Sequence, residues 1–241
     1  MNLAEIAGLL SLNLGLLLTA MVGLWALSLR WKGVGFIEAV WPLAMMTMAG
    51  LTFVLADGDP VRKGLLLWLV TIWALPQAWR RLAPTARAGA DACYAAVAGR
   101  VAARRRWGPG PTGLGLFFLP QAVLAWVVSL PVQLGQVDFL PPVGWVGWTG
   151  AVLTVAGIGL EGVGSLRAAG QSSAAPSSFR RSNRWLRRPE YLGDVAVWWG
   201  LFLIAAETGP GRASIIGPIL LTFVLAHWAK TENPRRVSDG G

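Results

Sequence analysis

Apolar residues fall in long blocks along this chain, separated by shorter polar connections. Seven blocks, at about 3–29, 34–55, 64–82, 113–135, 140–163, 192–208 and 213–229, read as membrane-crossing helices. A crossing needs roughly 20 mostly apolar residues. The first block, MNLAEIAGLLSLNLGLLLTAMVGLWALSL, has no Lys or Arg before its apolar run. It is also longer than a signal-peptide core, which predicts a retained first span. The fifth, PPVGWVGWTGAVLTVAGIGL, is rich in Gly. Gly lets membrane helices approach closely, so this span is expected inside the bundle. Pro42, Pro76, Pro120 and Pro131 lie within spans, where each removes a backbone donor and is expected to kink its helix. The chain has 14 Trp, many near span ends, as interfacial belts require.

The connections alternate in charge. The first holds Arg30 and Lys32, and the second sets Asp57 and Asp59 against Arg62 and Lys63. The third carries Arg80, Arg81, Arg87, Arg100, Arg104, Arg105 and Arg106 against Asp91 alone. The fourth has only Asp138, and the fifth carries Arg167, Arg180, Arg181, Arg184, Arg187 and Arg188. The sixth sets Arg212 against Glu207, and the tail holds Lys230, Arg235 and Arg236. The positive-inside rule places connections one, three, five and the tail in the cytoplasm. The expectation is therefore an all-α transmembrane bundle of about seven spans, N-terminus outside and C-terminus cytoplasmic.

Composition agrees. The chain is 54% hydrophobic and 14% charged, against about 25% charged in a soluble domain. Mean hydropathy is +0.53, net charge +9 and pI about 11.2. Because the arginines sit between apolar runs rather than on one amphipathic face, nucleic acid is not the expected partner. The single Cys93 excludes an intrachain disulfide, and the single His227 excludes a multi-His metal site. Residues 1–230 read as one transmembrane domain, and 231–241 as a polar tail. In the third connection, 83–112, Tyr94, Val97 and Val101 recur at helical spacing, which predicts a helix lying on the inner membrane surface. A solvated basic loop is the alternative. The fifth connection, 164–191, contains the Ser/Ala-rich GQSSAAPSSF.

Ionisable residues inside spans are costly, so each is a site candidate. Glu38, Glu161, Tyr191, Asp194 and His227 all fall at the inner leaflet, with Gln121 inside span four. That clustering suggests a pocket open to the cytoplasm. The plainer readings are that Glu38 and Glu161 neutralise loop arginines, that Asp194 complements a helix N-terminus, and that His227 sits at the interface. Glu207 is expected to pair with Arg212 at the outer face. In RWLRRPEYLGD, Pro189 suits a first helical turn, but cations there do not suit the helix dipole. An anion would resolve the conflict, because exposed N–H groups and guanidinium forks make a phosphate site. A nucleotide and an anionic lipid headgroup fit equally well.

The stretch RRPEYLGDVAVWWGLFLIAAETGPG…GPILLTFVL resembles bacterial membrane proteins related to steroid 5-alpha-reductases, whose motif runs R-H-P-N-Y-F-G-D/E before a Trp-rich helix. FIEAVWP, WALPQAWRR, GADACYAA, FLPQAVLAWVVSLPVQ and GLEGVGSL are similar to that family's other segments, in the same order, over roughly 34–228. The resemblance implies seven helices, a cytoplasm-facing NADPH site and reduction of an activated C=C bond in a lipid- or steroid-like substrate. It implies catalytic roles for Glu38, Glu161 and Tyr191. It implies cofactor contacts for Arg184, Arg187, Arg188, Tyr191, Gly193, Asp194, Asp91 and Tyr94, with Gln121 matching the span-four Gln. No metal is implied. Membrane lipid and a hydrophobic small molecule are the expected partners, and the bacterial inner membrane the expected location.

Several motif positions differ. Arg188 stands for His, Glu190 for Asn, Ser165 for Asp, Pro76 and Cys93 for Arg, and Glu38 for Asp. Two other readings therefore stand beside the reductase. One is a non-catalytic protein on the same scaffold. The other is a methyltransferase like the isoprenylcysteine enzymes, using S-adenosylmethionine. Those usually carry a Glu pair after the last span, where this chain has only Glu232.

Overall fold

The computed structural model describes residues 1–31, 35–83, 113–170 and 189–231, together with 88, 91, 94, 95 and 99. Every regular element among them is helical. In chain order these are α1 (Leu3–Trp31), α2 (Ile37–Leu55) and α3 (Pro60–Leu82), then a π turn (Leu114–Phe118) leading into α4 (Leu119–Val128) and α5 (Leu130–Leu134). After them come α6 (Trp145–Gly170), α7 (Pro189–Ala205), α8 (Gly209–Ala213) and α9 (Ile216–Thr231). Among the described residues, four segments are long and apolar enough to cross a membrane: Leu3–Arg30, Ile37–Leu55, Trp145–Ser165 and Gly209–His227. Leu114–Val128 and Tyr191–Ala205 are shorter apolar helices. This is compatible with an integral membrane protein. The α3 segment is long but carries Gln77, Arg80 and Arg81 in its last turns. Of the expected surface helix, residues 88, 91, 94, 95 and 99 are helical, and Val97 and Val101 lie outside the described residues.

Local sequence explains the element ends. At the start of α3 the Asp59 carboxylate accepts from Arg62 N at 2.8 Å, with Pro60 in the first turn. Its last turn carries Arg80 and Arg81, which suit the negative helix end. The expected fourth span is broken. Pro120 follows the π turn, whose widened backbone makes room for a ring that would otherwise meet the carbonyl four residues back. Pro131 ends α4 at Ser129 and restarts the chain as α5.

α7 packs against α3, α5, α6, α8 and α9. Val197, Trp198, Leu201 and Ile204 of α7 are fully buried in a core that also holds Leu66 and Val70 of α3, Met45 of α2 and Phe118 of the π turn. The tightest contact is between α6 and α7. A Cβ on Gly200 would lie 2.5 Å from the Gly150 carbonyl oxygen, and one on Gly157 would lie 2.8 Å from that of Gly193. Only hydrogen fits there, so the two backbones meet directly. The Gly-rich fifth segment, expected inside the bundle, is buried along one stripe only. Its other face is outward, with Val152 71% and Val155 58% exposed. It is α7 that occupies the inside.

At the end away from the start of α7, backbone groups satisfy the charges. Arg62 is fully buried and donates to the carbonyls of Asp138, at 3.2 Å, and Pro141. Lys63 donates to Ala56 O and lies 5.0 Å over the Phe53 ring. The expected Glu207–Arg212 pair does not form. Instead Glu207 accepts from Gly144 N at 3.0 Å and Gly147 N at 2.9 Å, capping the start of α6. Arg212 donates to Ala206 O at 3.2 Å. A carboxylate gains more from unpaired N–H groups and the positive helix end than from an exposed cation.

A buried amide cluster ties α1 to the bundle. Asn13 Nδ2 donates to Thr52 Oγ1 at 3.0 Å and Gln133 Oε1 at 2.9 Å. Gln133 donates in turn to Ser129 Oγ at 2.8 Å, and Gln136 to Ala49 O at 3.1 Å. All five of these side chains, Asn13, Thr52, Ser129, Gln133 and Gln136, are fully buried.

The α6–α7 contact yields a direct test. Gly200→Val forces the helices apart and is expected to destabilise by about 1–3 kcal/mol, the usual overpacking range. Gly159→Val, where a Cβ meets nothing within 4 Å, is expected to be near neutral. Thermal unfolding in detergent checks both, and equal melting temperatures for the two variants would contradict the packing described.

Candidate functional site

The end of the bundle where α3 and α6 finish and α7 begins gathers the carboxyl groups. Trp73 and Gln77 are four residues apart and share one face of α3. Trp73 Nε1 donates to Glu161 Oε1 at 3.0 Å and to Asp194 Oδ1 at 3.1 Å. Gln77 Nε2 donates to Glu161 Oε2 and, at 3.4 Å, to Asp194 Oδ1. The two carboxyl groups, from α6 and α7, are thus held side by side by two donors from α3. Glu161 is 3% exposed and Gln77 6%.

Arginines close the open side. Arg80 Nη2 lies 3.9 Å from Glu161 Oε2, and Arg81 Nη1 donates to Gln77 Oε1 at 2.5 Å. Behind the pair, Trp73 meets Trp198 edge-on, with ring centroids 5.4 Å apart. The α6–α7 crossing sets the spacing. A Cβ on Gly193 would lie 2.4 Å from Glu161 Cγ, so no larger residue admits Glu161 here. Two adjacent carboxyl groups with shared donors can hold and pass a proton. Among the described residues, no group of three or more His, Cys, Asp or Glu is placed to hold a metal.

The other candidates are distributed around this centre. Glu38 is half-buried in the first turn of α2, within electrostatic reach of Arg81. Asp91 Oδ1 accepts from Gly35 N at 2.6 Å, which ties the third connection to the entry of α2. Tyr94 packs edge-on against Phe117 at 4.8 Å. Tyr191 is partly buried and packs against the main core. Gly193 faces α6 rather than an open space. Gln121 is partly buried on α4 and takes no part in the hydrogen bonds of the pair. His227 stacks on Phe223 at 6.5 Å. Ser165 donates back to the carbonyls of Glu161, at 3.1 Å, and Gly162, at 2.9 Å. Arg184, Arg187 and Arg188 lie outside the described residues.

Trp73, Gln77 and Arg81 are functional candidates that sequence reasoning passed over. A signal existed, because Gln77 is a polar residue inside an apolar segment, which is as costly in hydrocarbon as an ionisable one unless it is partnered. A separate apolar groove of about 480 Å³ lies between α4 and α9, lined by Leu119, Pro120, Val123, Val127 and Leu220. It holds no titratable group.

The family described as Protein of unknown function (DUF1295) matches residues 24–236, and the chain belongs to that family. Searches of curated proteins and of solved structures give no significant match.

Trp73 and Trp198 allow the hydrogen bonds to be separated from the packing. Both rings are buried, but Trp198 Nε1 has no hydrogen-bond partner. Trp73→Phe removes the donor that both carboxyl groups share, so an extra cost of about 1–3 kcal/mol is expected over Trp198→Phe. The comparison is of melting temperatures in detergent. A smaller loss for Trp73→Phe than for Trp198→Phe would refute the assigned bonds.

Proposed function

We propose that this protein is an integral membrane reductase of seven spans, with its N-terminus outside and its C-terminus and active face in the cytoplasm of a bacterium. It uses NADPH to reduce an activated C=C bond in a lipid- or steroid-like substrate. The observation that carries the reading is the meeting of Glu161 and Asp194 under Trp73 and Gln77. Both carboxyl groups occupy positions that match the reductase-like motifs. The family also lies in the steroid 5-alpha-reductase-like clade.

The residues present suit the cofactor unevenly. Tyr191 and Asp194 lie in the first turns of α7, whose N-terminal N–H groups favour an anion. Two carboxyl groups close by favour the uncharged parts of a dinucleotide over its phosphates. Arg184, Arg187 and Arg188, just ahead of α7 in the chain, would take the phosphates. NADPH held there would supply the hydride that an enone takes at its β carbon. Glu38 or Tyr191 donates a hydrogen bond to the enone carbonyl, which favours negative charge on its oxygen. The Glu161–Asp194 pair holds the proton that completes the product at the α carbon. The apolar groove between α4 and α9 offers a surface for an acyl chain.

A non-catalytic protein on this scaffold is the second reading. Trp73, Gln77 and Arg80 already engage both oxygens of Glu161, which suits a structural hub as well as a catalyst.

Titration of the purified protein in detergent separates the readings. Saturable NADPH binding is expected, weakened roughly tenfold by Arg187→Ala, the loss of about one charge-assisted hydrogen bond. Saturable binding of S-adenosylmethionine instead would favour a methyltransferase. If neither nucleotide binds at millimolar concentration, the non-catalytic reading replaces both. The topology has its own check: a reporter fused after Gly241 is expected to be active only in the cytoplasm, and periplasmic activity would sink the seven-span arrangement.

A further inference from the structure

We infer that Arg81 acts through Gln77 as a positioning relay for the Glu161–Asp194 pair. A glutamine side chain has one accepting end and one donating end, and they exchange places by rotation about its last bond. Arginine has only donors. With Arg81 Nη1 2.5 Å from Gln77 Oε1, the amide oxygen is committed to Arg81 and the NH₂ must face the pair. The hydrogen bonds from Gln77 Nε2 to Glu161 Oε2 and Asp194 Oδ1 follow from that commitment.

Trp73 is different in kind. Its indole nitrogen donates and cannot accept, so its contribution to the pair is fixed whatever happens nearby. Gln77 is therefore the one member of the α3 clamp whose role can reverse, and Arg81 is what keeps it from reversing. Without Arg81, the amide oxygen is free to turn toward the carboxyl groups and replace a donor by an acceptor. Burial sharpens the effect. Gln77 is 6% exposed and Glu161 3%, so water does not screen which end of the amide they see. Arg81 itself is only half-buried and stands in the last turn of α3, with Glu38 within its electrostatic reach on α2. The relay thus runs from the open end of the bundle to the Glu161–Asp194 pair.

Infrared spectroscopy of the full chain, purified in detergent, tests the relay. The carboxyl bands of the pair are assigned by their loss in Glu161→Gln and Asp194→Asn. In Gln77→Leu these bands are expected to shift, because a donor is removed. In Arg81→Gln they are expected to shift too, although Arg81 makes none of the pair's own hydrogen bonds. Arg81→Lys, which keeps a cationic donor, is expected to return them toward the wild-type position. A purely structural role for Arg81 would lower the melting temperature and leave the bands in place. Bands that move in Gln77→Leu but not in Arg81→Gln overturn the relay, and so do bands that move in neither. Arg81 is half-buried at a helix end, so its variants are expected to fold even if Gln77→Leu does not. The readout is the carboxyl groups themselves. A failed relay leaves the reductase reading standing, and a failed NADPH titration leaves the relay standing.

Discussion

Between Gly150 and Gly200, and again between Gly157 and Gly193, α6 and α7 touch backbone to backbone. Each pair of glycines on one helix is seven residues apart, two turns, so the contact runs along the seam instead of occurring at one point. In a membrane the lipid tails are as apolar as leucine, and close packing is what draws helices together. This seam decides what lies beyond it. Glu161 stands one turn past Gly157 and is pressed against Gly193, beside Asp194. A side chain at any of the four positions would widen the seam and separate the two carboxyl groups. The site is therefore a consequence of the packing, and α3 then closes over it with Trp73 and Gln77.

The two ends of the bundle solve the same problem in different ways. Polar groups in hydrocarbon must be partnered within the protein. At the far end, backbone does this: Arg62 rests on carbonyls and Glu207 on N–H groups. Those charges have been absorbed into the frame, and little of their side-chain chemistry remains available. The Glu161 end uses side chains on side chains, with an indole, an amide and two guanidinium groups around two carboxyl groups. Such an arrangement can be rearranged by rotating a single side chain, which a backbone clamp does not allow.

Much of the helical frame was legible from apolar run lengths, because a crossing helix must be long and nearly free of charge. The starts and ends of α1, α2 and α3 fall close to the expected spans. The break at Ser129 and the π turn before Pro120 were less legible, since a proline announces a disturbance but not its form. Glu161 and Asp194 stood out as ionisable residues inside apolar segments. That they face each other depends on the α6–α7 seam, which lies between residues more than thirty positions apart and leaves no local pattern. Trp73 and Gln77 were hidden because tryptophan reads as an interfacial residue and glutamine carries no charge. Glu207 misled for a related reason: Arg212 is near in sequence, whereas the N–H groups of Gly144 and Gly147 are near only in the fold.

The departures from the resembled motifs take on a different aspect once they are located. Pro76 stands where the motif has an arginine. Position 80 is one turn further on the same face of α3, and Arg80 reaches Glu161. Ser165 stands where the motif has an aspartate, and its hydroxyl is turned back onto its own helix. One carboxyl group is absent from the neighbourhood and one guanidinium group is displaced along the helix. What remains is two carboxyl groups facing Arg80 and Arg81. An unmatched charge in the membrane interior is costly, so a site that merely decayed would shed its carboxyl groups first. Here both are present: Glu161 is buried with both oxygens engaged, and Asp194 is partly buried, with Oδ1 accepting from Trp73 and Gln77. The Glu161–Asp194 pair is the part of the site on which any proton-handling chemistry would rest.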